Sequence, residues 1–190
     1  AYSHLAALSV DPNADILPCK TFDECFNKAT LEPESKIIIP ESNRITGNIG
    51  IEYLIFKHRL NIYLEHFQKI EHNLLGKPGS KLKDIKEVYS HAQGLSQCSK
   101  FIKENNLTEH IRADTAGSAE MISKTKDIKQ AAIASSLSAK IYGLEVIKKN
   151  IENESGNLTR FLVMGKNISQ PEFKEKNYIT SFLFKLKSKP

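Results

Sequence analysis

Short apolar runs with the pattern of strands alternate with helical patterns along most of the chain. Residues 36–40 (KIIIP) predict a buried strand ended by a proline, and residues 21–24 (TFDE) form a capping box that predicts the start of a helix. Further strands are predicted at residues 60–70, 87–89, 109–113, 131–134, 144–151 and 161–164. The helix after the strand at 131–134 should end at Gly143. This alternation predicts an α/β fold with mostly parallel sheets.

The length of 190 residues allows one good core or two small lobes. The long connection at residues 60–76 is the segment that would carry the chain from one lobe to the other. No internal repeat interrupts the alternation.

Small polar side chains stand where four predicted strands give way to helices. They are Ser42 with Asn43, Ser90, Thr115, and Ser135 with Ser136. Ligands of parallel α/β sheets bind where strand carboxyl ends meet helix amino ends, and the free N–H groups there favour an anion. Each residue alone would commonly be a helix cap. Four such junctions together predict a cleft that binds a small acidic molecule.

The charge distribution argues against nucleic acid as a partner. The net charge is +5, but residues 166–190 hold six lysines and two glutamates, which supply +4 of it. The rest of the chain is nearly neutral, with charges of both signs interspersed, and no basic segment is interleaved with aromatic residues.

Several other classes of protein are also disfavoured. No run of 18 or more apolar residues predicts a membrane span, and the amino terminus lacks the basic segment of a secretory signal. The three cysteines form no CxxC pair, which favours reduced thiols and a cytoplasmic protein. The histidines show no metal-ligand spacing, so we expect no metal site.

Several blocks of the sequence, in the same order, resemble those of one enzyme family. Residues 157–163 (NLTRFLV) are similar to the Thr-Arg-Phe signature of prephenate dehydratases, and residues 89–98 (YSHAQGLSQC) to that family's YSHPQALAQC block. Residues 72–76 (HNLLG), the AAIAS…YGL stretch from 131 to 144 and the opening AYSH match further family segments. The resemblance covers residues 1 to about 165.

The resemblance implies a fold like the type-II periplasmic binding proteins, with two α/β lobes around a central cleft. It implies conversion of prephenate to phenylpyruvate by coupled loss of carboxylate and hydroxide, without metal or cofactor. It also implies a homo-oligomer. The cleft inferred from the strand ends suits this dianionic substrate.

Roles for individual residues follow from the same resemblance. Thr159 is expected to donate a hydrogen bond to the departing hydroxyl, and Arg160 to hold a substrate carboxylate with its planar fork. The other catalytic residues are expected to be Ser90, Gln97 and Asn43, and the substrate-binding residues Ser3, Ser42, Thr115 and Phe161. His72 and His91 are interpreted as structural, since neither has a carboxylate at catalytic spacing.

The loop at residues 40–47 departs from the family pattern, which has Pro-x-Glu-Asn-Ser before a glycine. Here the run is PESNRITG. Aligned without gaps, Asn43 keeps its place; in a shifted alignment, Glu41 does the work of the family's glutamate. The added Arg44 either binds a carboxylate or reaches solvent.

The carboxyl-terminal segment departs as well. Residues 178–190 resemble the first strand of an ACT regulatory domain, and residues 166–177 are interpreted as a linker to it. A complete ACT domain would imply L-phenylalanine as an allosteric inhibitor. We therefore assign residues 1–165 to the catalytic domain and expect the chain to be trimmed from a longer one.

Two alternatives to prephenate dehydration stay open. Arogenate differs from prephenate by one ammonium group, and a non-catalytic module that binds small anions could use the same fold. The altered loop at 40–47 favours the second alternative, whereas the intact Thr159-Arg160 pair argues against it.

Overall fold

The computed structural model of the chain describes residues 2–167, which form two lobes, each built on one sheet. The predicted linker beyond residue 167 and the predicted ACT strand lie outside the described residues. The helices of the first lobe are α1 (Tyr2–Val10), α2 (Phe22–Leu31) and α3 (Glu52–His58). Its strands are β1 (Lys36–Asn43), β2 (Gly47–Asn48), β3 (Asn61–Lys69) and β9 (Leu158–Gly165).

The second lobe contains the middle of the chain. Its strands are β4 (Asn73–Gly76), β5 (Glu87–His91), β6 (Thr108–Arg112), β7 (Gln130–Ala134) and β8 (Glu145–Lys148). Its α-helices are α4 (Ala92–Gln97), α5 (Ser99–Glu104), α6 (Thr115–Lys124) and α7 (Ser136–Tyr142), with a 3-10 turn at Leu82–Asp84. Gly143 ends α7 with a φ of +64°, as the sequence predicts.

The α/β prediction is confirmed, but the sheets are not mostly parallel. The first sheet has the order β2-β1-β9-β3 and every pairing in it is antiparallel. The second sheet has the order β6-β5-β7-β4-β8, in which β5 is parallel to β6 and β7 while β4 is antiparallel to β7 and β8. Periodicity identifies a strand but does not give its direction relative to its partners, which here come from distant parts of the chain.

Element boundaries differ from the prediction in several places. The strand β1 is not ended by Pro40 but continues to Asn43, and β9 begins at Leu158 instead of residue 161. The helix α1 was not predicted. The segment that follows the predicted strand at 87–89 forms two short helices, with Cys98 ending α4 and preceding α5. The predicted strand at 144–151 is shorter and covers Glu145–Lys148 only.

Three clusters of buried apolar side chains form the cores. In the first lobe, Ile37, Ile39, Leu162 and Met164 pack against Phe26 on the side of the sheet that carries α2 and α3. The second lobe has one cluster around Leu74, Val88, Ile102 and Ile133, and another that includes Leu75, Ile122 and Ala132. The separate cores agree with the prediction of two small lobes.

The chain crosses between the lobes twice, and the two crossing segments lie side by side. Residues 70–72 lead from β3 to β4, and residues 149–157 lead from β8 to β9. The backbone N–H of Ile70 donates to the carbonyl of Asn157 at 2.9 Å, and that of Ile151 donates to the carbonyl of His72 at 2.9 Å. This paired crossing positions residues of both segments at the floor of the space between the lobes.

Candidate active site

A cleft of about 250 Å³ lies between the two lobes. Its lining contains six of the residues predicted from the sequence: Ser3, Asn43, Gln97, Thr115, Thr159 and Phe161. Residues from α1, β1, α4, α6 and β9 therefore meet here, although they are distant in sequence. Three other predicted residues, Arg160, Ser42 and Ser90, are not part of this lining.

The strand β9 presents Thr159 and Phe161 to the cleft because successive side chains of a strand point to opposite faces. Both side chains are buried, with Thr159 6% and Phe161 1% exposed. Arg160 lies between them and points to the other face, which is also the face of the core residues Leu162 and Met164.

Arg160 forms two ion pairs on that opposite face. Its Nε donates to Oε2 of Glu65 on β3 at 2.7 Å, and its Nη1 donates to Oε2 of Glu41 on β1 at 3.2 Å. The guanidinium thus links three neighbouring strands, and its side chain is 25% exposed. The expected grip of Arg160 on a substrate carboxylate is not seen in this arrangement, because alternation along β9 turns the side chain away from the cleft.

A bulge in β1 explains why Asn43, and not Ser42, reaches the cleft. The pairing of β1 with β9 is irregular between Pro40 and Ser42, so that Glu41 is an extra residue. Beyond it, Ser42 is opposite Arg160 and Asn43 is opposite Thr159. The hydroxyl of Ser42 donates to Glu41 at 2.6 Å, outside the cleft lining. The predicted substrate contact of Ser42 is therefore corrected, whereas Asn43 does line the cleft.

Ser90 is a core residue. Its side chain is fully buried, and its hydroxyl donates to the backbone carbonyl of Ile133 at 2.7 Å. A Cβ atom on Gly94 would lie 2.8 Å from this hydroxyl, so helix α4 packs tightly over it. Ser90 therefore joins β5 to β7 beneath the cleft instead of lining it, which corrects the predicted contact.

Asn43 is the centre of the polar network in the first lobe. Its Oδ1 accepts from the backbone N–H groups of Ile45 and Thr46 at 3.0 and 3.1 Å. Its Nδ2 donates to Thr159 Oγ1 at 2.8 Å and to Asn157 Oδ1 at 2.8 Å. The Asn43 amide is thereby fixed in orientation by backbone groups that can only donate.

The network continues into the second lobe through Gln97. Asn157 Nδ2 donates to Gln97 Oε1 at 3.2 Å, and His72 Nε2 lies 2.7 Å from the same oxygen. His72 Nδ1 lies 3.1 Å from the hydroxyl of Tyr2, whose oxygen is also 2.8 Å from the carbonyl of Glu71. Hydrogen bonds therefore connect Thr159 to Tyr2 across the floor of the cleft.

Burial sets the protonation of the two titratable groups in this network. His72 is 3% exposed, and burial lowers the pKa of its imidazole below the ordinary histidine value. Burial also raises the pKa of the Tyr2 phenol, so Tyr2 keeps its proton and remains a donor. At neutral pH the network is uncharged.

The charged groups around the cleft are few. Among residues 2–167, no lysine or arginine lines it, and Asp114 is its only carboxylate. Asp114 is the N-cap of α6, where its Oδ1 accepts from the Gly117 N–H at 2.7 Å. Arg44 donates to the carbonyl of Gly156 at 3.3 Å, is exposed and lies outside the lining. An anion in this cleft would be bound chiefly by neutral donors.

Sequence reasoning assigned no role in the site to several lining residues: Tyr2, His72, His91, Asp114 and Asn157. His91 caps α4 with its Nδ1, which accepts from the Gln93 N–H at 3.3 Å. Four of these residues stand inside the motif segments: Tyr2, His72, His91 and Asn157. Their position within a motif was therefore the sequence feature that could have identified them as site residues. Asp114, which directly precedes Thr115, had only the capping pattern to mark it.

Other kinds of site are not apparent in the part of the chain described. Residues 2–167 contain no group of three or more His, Cys, Asp or Glu side chains that could hold a metal ion. Within the same range, no helix has the length and apolar character needed to cross a membrane.

Comparison with known proteins decides the family. Residues 1–169 match the family model described as prephenate dehydratase. The chain belongs to the prephenate dehydratase family. The resemblance seen in the sequence is thereby confirmed.

Relatives of this chain include arogenate dehydratase/prephenate dehydratase 1, chloroplastic, of Arabidopsis thaliana. It is 37% identical over 191 residues, covering 100% of this chain and 48% of the relative. The bifunctional N-acyl-homoserine lactone acylase/prephenate dehydratase of Komagataeibacter europaeus is 32% identical over 191 residues, covering 100% of this chain and 68% of the relative. The chain spans about half the length of the first of these relatives.

The fold is also that of solved prephenate dehydratases. The prephenate dehydratase from Arthrobacter aurescens, determined in complex with L-Phe, superposes with a TM-score of 0.81 at 24% identity. The likeness covers 92% of this chain and 60% of that one. The predicted periplasmic-binding-protein-like α/β fold is confirmed.

Proposed function

We propose that this chain is the catalytic part of an enzyme that converts prephenate to phenylpyruvate in phenylalanine biosynthesis. The observation that carries the proposal is the hydrogen bond from Asn43 Nδ2 to Thr159 Oγ1, 2.8 Å long. Because the Thr159 oxygen accepts from Asn43, its own proton is free to be donated into the cleft. A fixed hydroxyl donor is what the departing hydroxyl of prephenate requires.

The reaction breaks two bonds of the substrate ring. The electron pair of the ring–carboxylate bond enters the ring as CO₂ leaves, and the carbon–oxygen bond opposite breaks as the hydroxyl departs. With one proton, prephenate gives phenylpyruvate, CO₂ and water. A hydrogen bond from Thr159 strengthens as negative charge develops on the leaving oxygen, and so it lowers the barrier selectively.

The other lining residues are proposed to bind and orient the substrate. Phe161 is a buried apolar surface for the ring, and Gln97 and Ser3 are polar contacts. Thr115, the first residue of α6, offers its hydroxyl as a further neutral donor. For Arg160 we propose a positioning role, since Glu41 and Glu65 hold its guanidinium away from the cleft.

Arogenate dehydration is a second candidate, and Asp114 is the observation that favours it. Prephenate carries two carboxylates, whereas arogenate carries two carboxylates and an ammonium group. The cleft lining described has the carboxylate of Asp114 and no lysine or arginine. An ammonium group near Asp114 would pair with its carboxylate. It would also reduce the net negative charge of the ligand that the neutral donors of the cleft must bind.

Turnover of the two compounds by the purified chain tests both candidates. The aromatic product of each is followed by absorbance, with Thr159→Val as the inactive control. Consumption of prephenate supports the proposal, and preference for arogenate supports the second candidate. Saturable binding without turnover of either compound would instead identify a non-catalytic module that binds small anions.

Three further properties are proposals that follow from the family. We propose a cytoplasmic homo-oligomer that is inhibited by L-phenylalanine when a complete ACT domain follows the catalytic domain. Residues 178–190 are assigned to that domain by sequence alone. Calorimetric titration with phenylalanine tests the assignment: residues 1–190 should not bind it, whereas a chain extended through a whole ACT domain should.

A further inference from the structure

We propose that His72 is a positioning residue whose Nε2–H fixes the Gln97 side chain with its oxygen inward and its amide NH₂ facing the substrate. The kinetic part of this proposal rests on the proposed function, whereas the placement of the proton on His72 does not. Backbone N–H groups, which can only donate, fix the direction of every hydrogen bond in this network.

The N–H groups of Ile45 and Thr46 can only donate, so the Asn43 atom that they meet must be its oxygen. The Asn43 nitrogen then faces Asn157, and the Asn157 atom at 2.8 Å must be its oxygen. The Asn157 nitrogen is consequently the donor toward Gln97. Each amide orientation therefore follows from the one before it.

Because the Asn157 nitrogen donates, the Gln97 atom that lies 3.2 Å from it must be the amide oxygen. The same oxygen lies 2.7 Å from His72 Nε2, which therefore must carry a proton. Burial keeps the imidazole neutral at pH 7, so Nδ1 has none. Nδ1 is then an acceptor for the Tyr2 hydroxyl. The single proton of this hydroxyl has two acceptors within reach, Nδ1 and the carbonyl oxygen of Glu71.

The consequence for the cleft lies at the other end of the Gln97 amide. With two donors on its oxygen, Gln97 directs its NH₂ away from them, and within residues 2–167 this nitrogen has no hydrogen-bond acceptor among the protein atoms. Gln97 lines both the cleft and a neighbouring cavity, and in the proposed arrangement this donor faces the anionic substrate in the cleft. The reverse orientation would present an oxygen to a carboxylate and repel it.

A nitrogen-15 NMR experiment on histidine-labelled chain tests the placement of the proton directly. The chain has six histidines, and the His72→Gln variant identifies the His72 signals by their disappearance. At pH 7.5 we expect His72 to be neutral and protonated on Nε2. In the Asn157→Ala variant, which lacks one donor to Gln97, protonation on Nδ1 should become populated. A parent chain protonated on Nδ1 overturns the proposal.

Kinetics test the consequence on whichever of prephenate and arogenate the chain turns over. His72→Gln places an amide N–H where Nε2–H was and should stay within about threefold of the parent in kcat/KM. His72→Leu removes the donor and should lower kcat/KM about tenfold to a hundredfold, chiefly through KM, the range for losing a hydrogen bond to a charged group. Equal activities of His72→Leu and the parent would refute the proposal.

The matched control is His58, a half-buried histidine of the first lobe that lies outside the cleft lining. Its Nδ1 is 3.0 Å from the Thr30 hydroxyl and its ring packs against Phe26. His58→Gln should leave kcat/KM unchanged. If the chain turned over neither compound, the proposed function would fail, and the NMR result would still decide the proton placement.

Discussion

Arg160 and Glu65 are joined, on the face of the first sheet turned away from the cleft, by a 2.7 Å hydrogen bond between the guanidinium Nε and a carboxylate oxygen. Glu41 meets the same guanidinium from the opposite neighbouring strand. Arg160 thus holds β1 and β3 to β9 beside Thr159, on the face turned away from the cleft.

Replacement of Arg160 by methionine should affect stability more than substrate affinity. It leaves Glu41 and Glu65 without their common cation, so the free energy of unfolding should fall by about 1–2 kcal/mol. Because the guanidinium does not line the cleft, KM should change less than twofold while kcat falls with the displacement of Thr159. Urea unfolding and steady-state kinetics measure both. A large rise in KM with no change in the free energy of unfolding would show instead that Arg160 binds a substrate carboxylate.

Thr159→Val is nearly isosteric but lacks the hydroxyl donor. We expect kcat to fall about 10²–10⁴-fold with little change in KM, since the lost hydrogen bond acts in the transition state. Thr159→Ser retains a hydroxyl within reach of Asn43 and should keep much more activity. Both variants are compared after circular dichroism has shown that they are folded. Equal activities of the two variants would contradict the role of Thr159 as donor.

Asn43→Asp keeps the oxygen that accepts from Ile45 and Thr46 but replaces the donor to Thr159 with an acceptor. The Thr159 proton would then turn to the new carboxylate, and the added charge would repel an anionic substrate. We expect kcat/KM to fall at least about a hundredfold, with both kcat and KM affected. Asn13→Asp, which adds the same charge at an exposed site, is the control and should resemble the parent.

Gly94→Ala should destabilise the second lobe, because the new methyl group would lie 2.8 Å from the Ser90 hydroxyl. A loss of about 1–3 kcal/mol is expected for overpacking of this kind. Ser90→Ala removes the clashing oxygen, so the double variant should lose less stability than the sum of the two single variants. A double-mutant cycle by urea unfolding measures the difference. Strict additivity would show that the helix moves to admit the methyl group.

The buried His72 should make the fold sensitive to acid. Its pKa is lowered in the folded state, so the unfolded chain binds the proton first as the pH falls below the ordinary histidine value of about 6.5. The stability that is present above this pH is therefore lost progressively below it. Between pH 7.5 and 5.5 the parent should lose about 1 kcal/mol more than His72→Gln, measured by urea unfolding at both pH values. Parallel pH profiles would argue against this.

The sequence predicted the fold class, and six of its nine candidate site residues line the cleft, because both depend on local patterns. Strand–helix alternation and the small polar residues after strands point to Asn43 and Thr115, and both line the cleft. Ser42 and Ser90 satisfy the same pattern, yet neither lines the cleft. The bulge at Glu41 turns Ser42 to the other face of the sheet. The burial of Ser90 depends on how closely α4 packs on it. Neither the bulge nor this packing distance can be predicted from the types of the residues.

Arg160 shows a different limit of the sequence. The chemistry of a dianionic substrate calls for a cation, and the motif offers one directly beside Thr159. Alternation along β9 is itself predictable, but which face is the cleft depends on the antiparallel pairing with β1 and β3. Glu41 and Glu65, the partners that hold the guanidinium, lie more than ninety positions away in sequence.

The two crossing segments have a mechanical consequence for the site. His72 and Asn157 belong to these segments, and Asn43, Gln97 and Thr159 are bonded to them directly or through one neighbour. A rotation of one lobe relative to the other would pivot about this double hinge. The hydrogen-bonded side chains of the site lie at this crossing, where the displacement caused by such a rotation is smallest. Such a rotation would change the aperture through which substrate enters and leave the spacing of the donors intact.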